Sequence, residues 1–424
     1  MQNPLGTKAD TPLEVAVHKG GYGDAFIVAA ERAYQERFPS ATLTHTGLKS
    51  IDEALLPRFA RGNPPDLVSS AGANQLDQGA LIRDGKLLAL TELLAAPSLD
   101  DPTRTVEETL LPGTVDIGVY DGTCYALNYA YNVYGLFHSS ALFARHGWEF
   151  PRTWDAMLGL CAEIKKAGIA PWTYGGSYLL PLLRSLLMMA MKEGGARVLS
   201  DIDNLAPGAW RTEPVLAAAE AMHELVRKGY ILPGTDKLTY LEAQAEFVHG
   251  RAAFIPCGSW LDNEMRGVTP DGFDMVITPT PTLGATADAT VPQEAVMAVA
   301  AEPFLVPADA ANSRGGLELL RIMVSRSQAR RFTELTGALT CVDGAADGVP
   351  LTPALASARA ALDAAGKHTY FLMFHLWYRE FDTALGHATA RLMSGEWTPD
   401  EWSRQCQRLA DGLAADADVP KYTR

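Results

Sequence analysis

The chain has 424 residues, 47% of them apolar, and its 50 acidic against 36 basic side chains leave a net charge of −14. A chain of that length exceeds what one growing hydrophobic core supports, so two lobes of ordinary domain size are expected. The acid excess disfavours nucleic acid and anionic membrane surfaces as partners, because both need clustered Lys and Arg.

No apolar run approaches the roughly 20 residues needed to span a bilayer. The longest, 179–191, is interrupted by Pro181 and Arg184. A basic stretch followed by an apolar one is lacking at the start, so the chain reads either as cytoplasmic or as one whose leader has been removed, and the polar, linker-like segment 1–11 modestly favours the second. The five cysteines, Cys124, Cys161, Cys257, Cys341 and Cys406, are scattered and form no CxxC pair. They read as small core residues, with no metal or cofactor site implied.

In chain order, 13–17 reads as a strand, 18–23 as a glycine loop and 24–38 as a helix stopped by Pro39. A strand at 42–46, a helix at 52–61 and a strand at 66–69 continue the alternation, which is α/β architecture. Asp121-Gly122 is a tight-turn dipeptide, and the aromatic run 125–137 after it is strand-like. That run reads either as the lining of a binding cleft or as a buried strand. Thr153, after Pro151, is an N-cap. A helix is expected at 214–228, from Thr212 to Gly229. Thr239 and Glu242 make a capping box for a helix ending near Gly250, and 251–256 reads as a short buried strand. The segment 278–292, rich in Thr, Pro and Ala, has no apolar period and reads as an exposed connection. A short strand at 304–306 precedes a helix pair ending at Gly337, and the Ala-rich stretch 354–365 is helix-forming. Thr398-Pro-Asp-Glu401 is a second capping box, with Pro399 at the first helical position.

Several of these segments carry a distributed resemblance. Gly62-Asn-Pro-Pro-Asp66-Leu-Val, Asp121-Gly-Thr-Cys-Tyr125-Ala-Leu127, Phe137-His-Ser-Ser-Ala141-Leu-Phe, Pro151-Arg-Thr-Trp-Asp155, Gly250-Arg-Ala-Ala-Phe254 and Leu335-Thr-Gly337 occur in the order of matching segments in another group. The chain thereby resembles the extracellular solute-binding proteins that deliver sugars to ABC importers, the group containing maltose-binding protein. Gly258-Ser-Trp-Leu-Asp-Asn-Glu-Met265 and the terminal Lys421-Tyr-Thr-Arg424 are most similar to the actinobacterial branch for N-acetylglucosamine and chitobiose. Ala338-Leu-Thr-Cys341 and Asn128 depart from the family pattern at positions where Pro is common.

The resemblance implies a two-lobed α/β periplasmic-binding-protein-like fold with hinge strands and a ligand cleft between the lobes. The first lobe would take residues 10–127 plus 297–345, and the second 128–296 plus 346–424. It implies an extracellular, cell-surface monomer that binds carbohydrate, closes around it and serves the transmembrane subunits of an ABC permease.

A pyranose presents a CH-rich face and a rim of hydroxyls, so its site needs aromatic plates and planar polar groups. Trp260, just after the 251–256 strand, meets the first need; Ser259 and Asp262 are expected to cap the helix beginning there, and Asn263 and Glu264, one turn on, read either as hydroxyl contacts or as a solvated helix face. By resemblance, Trp377 and Tyr378 form the late stacking pair, Trp172 and Tyr174 the aromatic loop of the second lobe, and Tyr131 and Asn132 the first crossover. His18 and Asp24, in the glycine loop, and Asn74 are candidates for hydroxyl contacts. His375 is expected to be structural, and Trp148, Trp154, Trp210, Trp397 and Trp402 to be packing residues.

Two other classes remain open on residues alone. A glycoside-processing enzyme needs two carboxylates, for which Glu264 and Asp24 can be nominated, but HExxH, GxSxG and nucleotide-loop motifs are lacking. A peptide-binding or scaffold module would read main-chain groups or a flat apolar patch. Scattered loop tryptophans favour carbohydrate.

Overall fold

The computed structural model describes residues 3–20, 22–71, 75–286 and 289–424. The chain divides into two compact units, Met1–Asn132 with Val299–Pro350 and Val133–Ala298 with Leu351–Arg424. Twelve strands lie among the described residues: β1 Leu13–His18, β2 Leu43–Leu48, β3 Leu67–Ser69, β4 Val119–Tyr120, β5 Thr123–Cys124, β6 Ala126–Ser139, β7 Ala170–Trp172, β8 Ala252–Gly258, β9 Met275–Thr278, β10 Val296–Leu305, β11 Leu339–Thr340 and β12 Thr369–Tyr370.

In the first unit β1 pairs in parallel with β2 and with β3, and the helices Ala25–Arg37 and Ile51–Ala60 make the two crossovers. This is the βαβ winding expected from the alternation of strand and helix signals. β10 adds antiparallel to β3, with Phe304 opposite Ser69, and β11 pairs with β6 through Leu339 and Tyr131. Asp121 and Gly122 both take positive φ, 49° and 76°, as the two-residue turn joining β4 and β5 demands. One core gathers Ile51, Leu55, Phe59, Val68 and Leu305.

In the second unit β6 lies antiparallel to both β8 and β9, and β7 runs parallel to β8. β12 joins β10 through Val296 and Thr369. The helix Leu180–Gly194 runs through the core with every residue from Pro181 to Lys192 buried. The sequence reading took this stretch only as an interrupted apolar run. A helix buried on all sides has no exposed polar face to betray its period, yet it is stable once surrounded. Trp210 and Trp402 pack edge to face at 5.8 Å, and all five cysteines are buried free thiols.

Both capping boxes form, at Thr239 with Glu242 and at Thr398 with Glu401, and Thr153 caps the helix Trp154–Lys166. Two expectations need correction. The strand expected at 304–306 is ten residues long, because its first half pairs within the other unit. The segment 278–292 is not a simple exposed connection: Thr280 and Thr282 are buried. Thr282 N donates to Arg152 O at 3.0 Å, and Trp154 N donates to Thr282 O at 2.8 Å.

Lys192 is the reason this segment folds inward. Its side chain is fully buried, and Nζ donates to Thr280 O and to Gln293 O at 2.6 Å. A buried ammonium satisfied by carbonyls rather than a carboxylate still loses its hydration, and burial pushes the Lys192 pKa down from 10.5 to about 7. Between those two values the unfolded chain holds the proton that the folded chain has released, so stability rises with pH across that window. Urea unfolding from pH 7 to 10 should show this rise in the parent protein and a flatter profile in Lys192→Met. The two slopes should differ by at most about 1.4 kcal/mol per pH unit.

Candidate functional site

The second unit contains a charge that its helix does not need. Arg184 sits one turn into Leu180–Gly194 and is 5% exposed. Its guanidinium lies 4.6 Å over the ring of Tyr134, a cation–π contact strengthened by desolvation. Burial opposes the charge, while Tyr134, Tyr178 and Asp382 favour it, and the balance holds the guanidinium charged. Burial raises Asp382 to about 6 even though Arg184 pulls the other way. His375 is driven well below its ordinary value, first by burial and then by Arg184, so it is neutral.

Tyr134 lines one hollow and touches the indole that lines another. On one side a narrow hollow of about 10 Å³ is lined by Arg184, Met188, Thr280, Val296 and Met297 among others. Gly135 makes this geometry possible, since a Cβ there would stand 2.5 Å from Thr278 O and push away the strand that leads to Thr280. On the other side, Trp260 meets Tyr134 edge-on at 5.1 Å. The indole folds back onto Gly258, where a Cβ would fall 1.9 Å from the ring. Trp260 helps line a small depression with Tyr174, Tyr178, Tyr240 and Gln244. Tyr178 and Tyr240 meet at 6.2 Å and are 39% and 41% exposed.

Several buried polar atoms in this region have no hydrogen-bond partner: Arg184 Nη1, Thr280 Oγ1, Gln244 Oε1, His375 Nδ1, Trp377 Nε1 and Asp382 Oδ1. An unsatisfied buried group costs about 1–3 kcal/mol, so such atoms are normally rare. Others lie elsewhere in the fold, on the core residues Trp154, Trp172 and Trp210 among them.

Of the candidates read from sequence, Trp260 and Tyr174 line the depression, and Glu264 is tied to its Gln244. Glu264 Oε2 accepts from Gln244 Nε2 at 2.8 Å, and burial raises its pKa. Asn263 lies half-buried on the same short helix, Leu261–Glu264. Tyr174 is held by Thr235, whose Oγ1 accepts from Tyr174 N and donates to Tyr174 O. Ser259 does not cap the helix as expected: Val133 N donates to its Oγ at 3.2 Å, tying it to β6 instead, and Asp262 accepts from Thr352. Trp172 belongs to the core, not to a ligand surface. It is fully buried against Trp154 and Phe254 at 6.0 and 5.9 Å because its strand is covered on both faces.

Trp377 is half-buried beside Tyr422 at 5.7 Å. Tyr378 is buried, and its Oη accepts from Tyr422 N at 2.8 Å, fastening the C-terminal segment. In the first unit, Asn132 Oδ1 accepts from Tyr22 Oη at 3.1 Å, and Tyr131 donates to Pro112 O at 3.0 Å. Asp24 makes no side-chain cap and instead pairs with Lys19 at 3.0 Å and His45 at 3.5 Å. His18 is half-buried, with Nδ1 unpartnered. Asn74 lies outside the described residues.

Sequence reasoning missed Tyr22, Tyr134, Tyr178, Arg184, Tyr240, Gln244, Thr280 and Asp382. A signal existed for Arg184, a single cation within Leu-Pro-Leu-Leu-Arg-Ser-Leu-Leu-Met-Met. Nothing local distinguishes Thr280 or Asp382.

Residues 32–362 match the family model of the bacterial extracellular solute-binding proteins. The chain is 34% identical over 375 residues to the diacetylchitobiose binding protein NgcE of Streptomyces coelicolor, a match spanning 88% of this chain and 78% of that one. A solved chitin oligosaccharide binding protein has a TM-score of 0.75 at 19% identity, covering 96% of this chain and 100% of the other. A probable secreted solute-binding lipoprotein from Streptomyces coelicolor has a TM-score of 0.75 at 17% identity, covering 94% and 98%. The chain shares the fold of these two structures.

The different surroundings of two tryptophans have a measurable consequence. Trp172→Ala should lower unfolding free energy by about 3–5 kcal/mol, as for a large core truncation. Trp260→Ala, at a rim, should cost less than about half of that, measured by urea unfolding followed by circular dichroism.

Proposed function

The chain belongs to the bacterial extracellular solute-binding protein family, and from that premise we propose that it captures an oligosaccharide of the N-acetylglucosamine type, such as diacetylchitobiose, for an ABC importer. The observation that carries the reading is the aromatic depression of the second unit, where Trp260, Tyr174, Tyr178 and Tyr240 surround Gln244. Tyrosine and indole rings match the CH face of a pyranose, each pairing supplying about 0.5–1.5 kcal/mol beyond area burial. Gln244 Oε1 and Trp377 Nε1, an acceptor and a donor without partners, suit the hydroxyl rim. The 34% identical relative supports the choice of acetylated sugar.

On this reading His18, Asn132, Tyr131 and Trp377 are further ligand contacts. The protein acts as a monomer held at the cell surface, in keeping with the secreted lipoprotein whose fold it shares, and presents the loaded form to the permease. It performs no covalent chemistry. The chain passes between units at 132/133, 298/299 and 350/351, and rigid-body closure about these crossings accompanies capture to the extent that ligand prefers the closed state.

Thermal-shift and calorimetric titration with diacetylchitobiose, N-acetylglucosamine, cellobiose, maltose and trehalose tests the assignment, since a ligand selective for the native state raises the midpoint. Diacetylchitobiose should bind with release of no monosaccharide on prolonged incubation; sustained turnover would point to a hydrolase. Trp260→Ala and Trp377→Ala should each weaken binding at least about tenfold, or roughly 1.4 kcal/mol. Unchanged affinity in both variants would refute this placement of the site.

A further inference from the structure

The indole of Trp377 sits at the end of a helix of four residues, Phe374–Trp377. A helix that short is not stable by itself, so the packing around 371–378 is what aims the indole. The segment 421–424 supplies much of that packing and grips 371–378 at both ends. At one end Arg424 Nη2 donates to Phe371 O at 2.8 Å, while the guanidinium stands 4.7 Å over the Phe371 ring. At the other, Tyr422 N donates to Tyr378 Oη at 2.8 Å. The Tyr422 ring lies 5.7 Å from that of Trp377 and 6.2 Å from that of Tyr378, tilted by 34° and 35°.

The anchor for this arrangement is Asp203, which is fully buried. Its Oδ1 accepts from Met373 N at 2.8 Å and from Phe374 N at 2.9 Å, fixing the start of the short helix, and its Oδ2 pairs with Arg424 Nε at 2.7 Å. Burial raises the Asp203 pKa to about 6, and Arg424 together with the two backbone N–H groups opposes a further rise. The next residue, Asn204, holds the Arg424 main chain twice: Oδ1 accepts from Arg424 N at 2.9 Å and Nδ2 donates to Arg424 O at 3.0 Å. A stretch with neither helix nor strand frays unless it is tied down. Here the ties converge on the residues that carry Trp377.

We infer that 421–424 is a positioning strap for the ligand face: Arg424 and Tyr422 hold Trp377 in the orientation in which it stacks on the sugar. Arg424 acts through Asp203 and Phe371, and Tyr422 through its ring contact with the indole. The inference rests on the saccharide reading above and deepens it by naming what aligns one of its aromatic plates. A strap that served stability alone would leave the affinity of the folded protein untouched when it is loosened.

The test is calorimetric titration of the full chain with diacetylchitobiose, comparing the parent, Arg424→Ala, Arg424→Lys, Trp377→Ala and the Arg424→Ala, Trp377→Ala double variant. Arg424→Ala should weaken binding about fivefold, because the indole must then be ordered by the ligand. Arg424→Lys keeps the charge beside Asp203 and should recover part of that loss. In the Trp377→Ala background, Arg424→Ala should bring no further loss, since changes that act through one residue do not add. Tyr422→Ala leaves the Asp203–Arg424 pair in place and carries the same cycle should Arg424→Ala fail to fold. Folded strap variants with the parent's affinity, or losses that add to that of Trp377→Ala, would overturn the inference and leave the saccharide reading intact. A parent that binds none of the sugars named above would remove both.

Discussion

A guanidinium cannot shed its proton inside a protein, and this constraint organises the second unit. Once Arg184 is placed in a helix buried along nearly its whole length, its surroundings must answer a permanent charge. The face of Tyr134, the hydroxyl of Tyr178 and the carboxyl of Asp382 do so. Each then becomes fixed in turn, and Trp260 rests edge-on against the Tyr134 that Arg184 has oriented. Eight residues along the same helix, Lys192 meets the same desolvation differently. An amine can neutralise, and burial lowers its pKa to about 7. One helix thus carries one charge that persists and one that yields.

The Lys192 carbonyl bonds also explain why a segment rich in Thr, Pro and Ala is ordered. Without a helical or strand period, residues after β9 have no intrinsic reason to turn inward. Bonds from Nζ to Thr280 O and Gln293 O supply one, and Val291 N returns a bond to Lys192 O at 3.0 Å. The wall of the hollow containing Thr280 is therefore positioned from the helix that bears Arg184.

Strand β6 delivers residues to both units. Asn132, the last residue of the first stretch, accepts from Tyr22, whereas Val133 exchanges bonds with Ser259 and so holds the turn leading to Trp260. Asn132 makes its contact through the side chain and Val133 through the main-chain N–H and C=O, so the two adjacent residues do not compete. Family membership and fold agree with this economy, but the roles of individual residues follow from the packing.

Features written within a few residues were legible in the sequence. Capping boxes at Thr239 and Thr398, the N-cap at Thr153, the Asp121-Gly122 turn and the βαβ alternation from 13 to 69 all depend on local backbone conformation and near-neighbour hydrogen bonds, which short segments specify. Ordered motifs along the chain likewise sufficed for the family. What tertiary structure alone decided is the environment of each side chain: that Trp172 is core and Trp260 rim, that Ser259 serves β6 rather than a helix, and that Arg184, Thr280 and Tyr134 line one hollow. Those outcomes depend on groups distant in sequence approaching within a few ångströms, and burial, which sets the strength of every such contact, belongs to the assembled fold and to no segment of it.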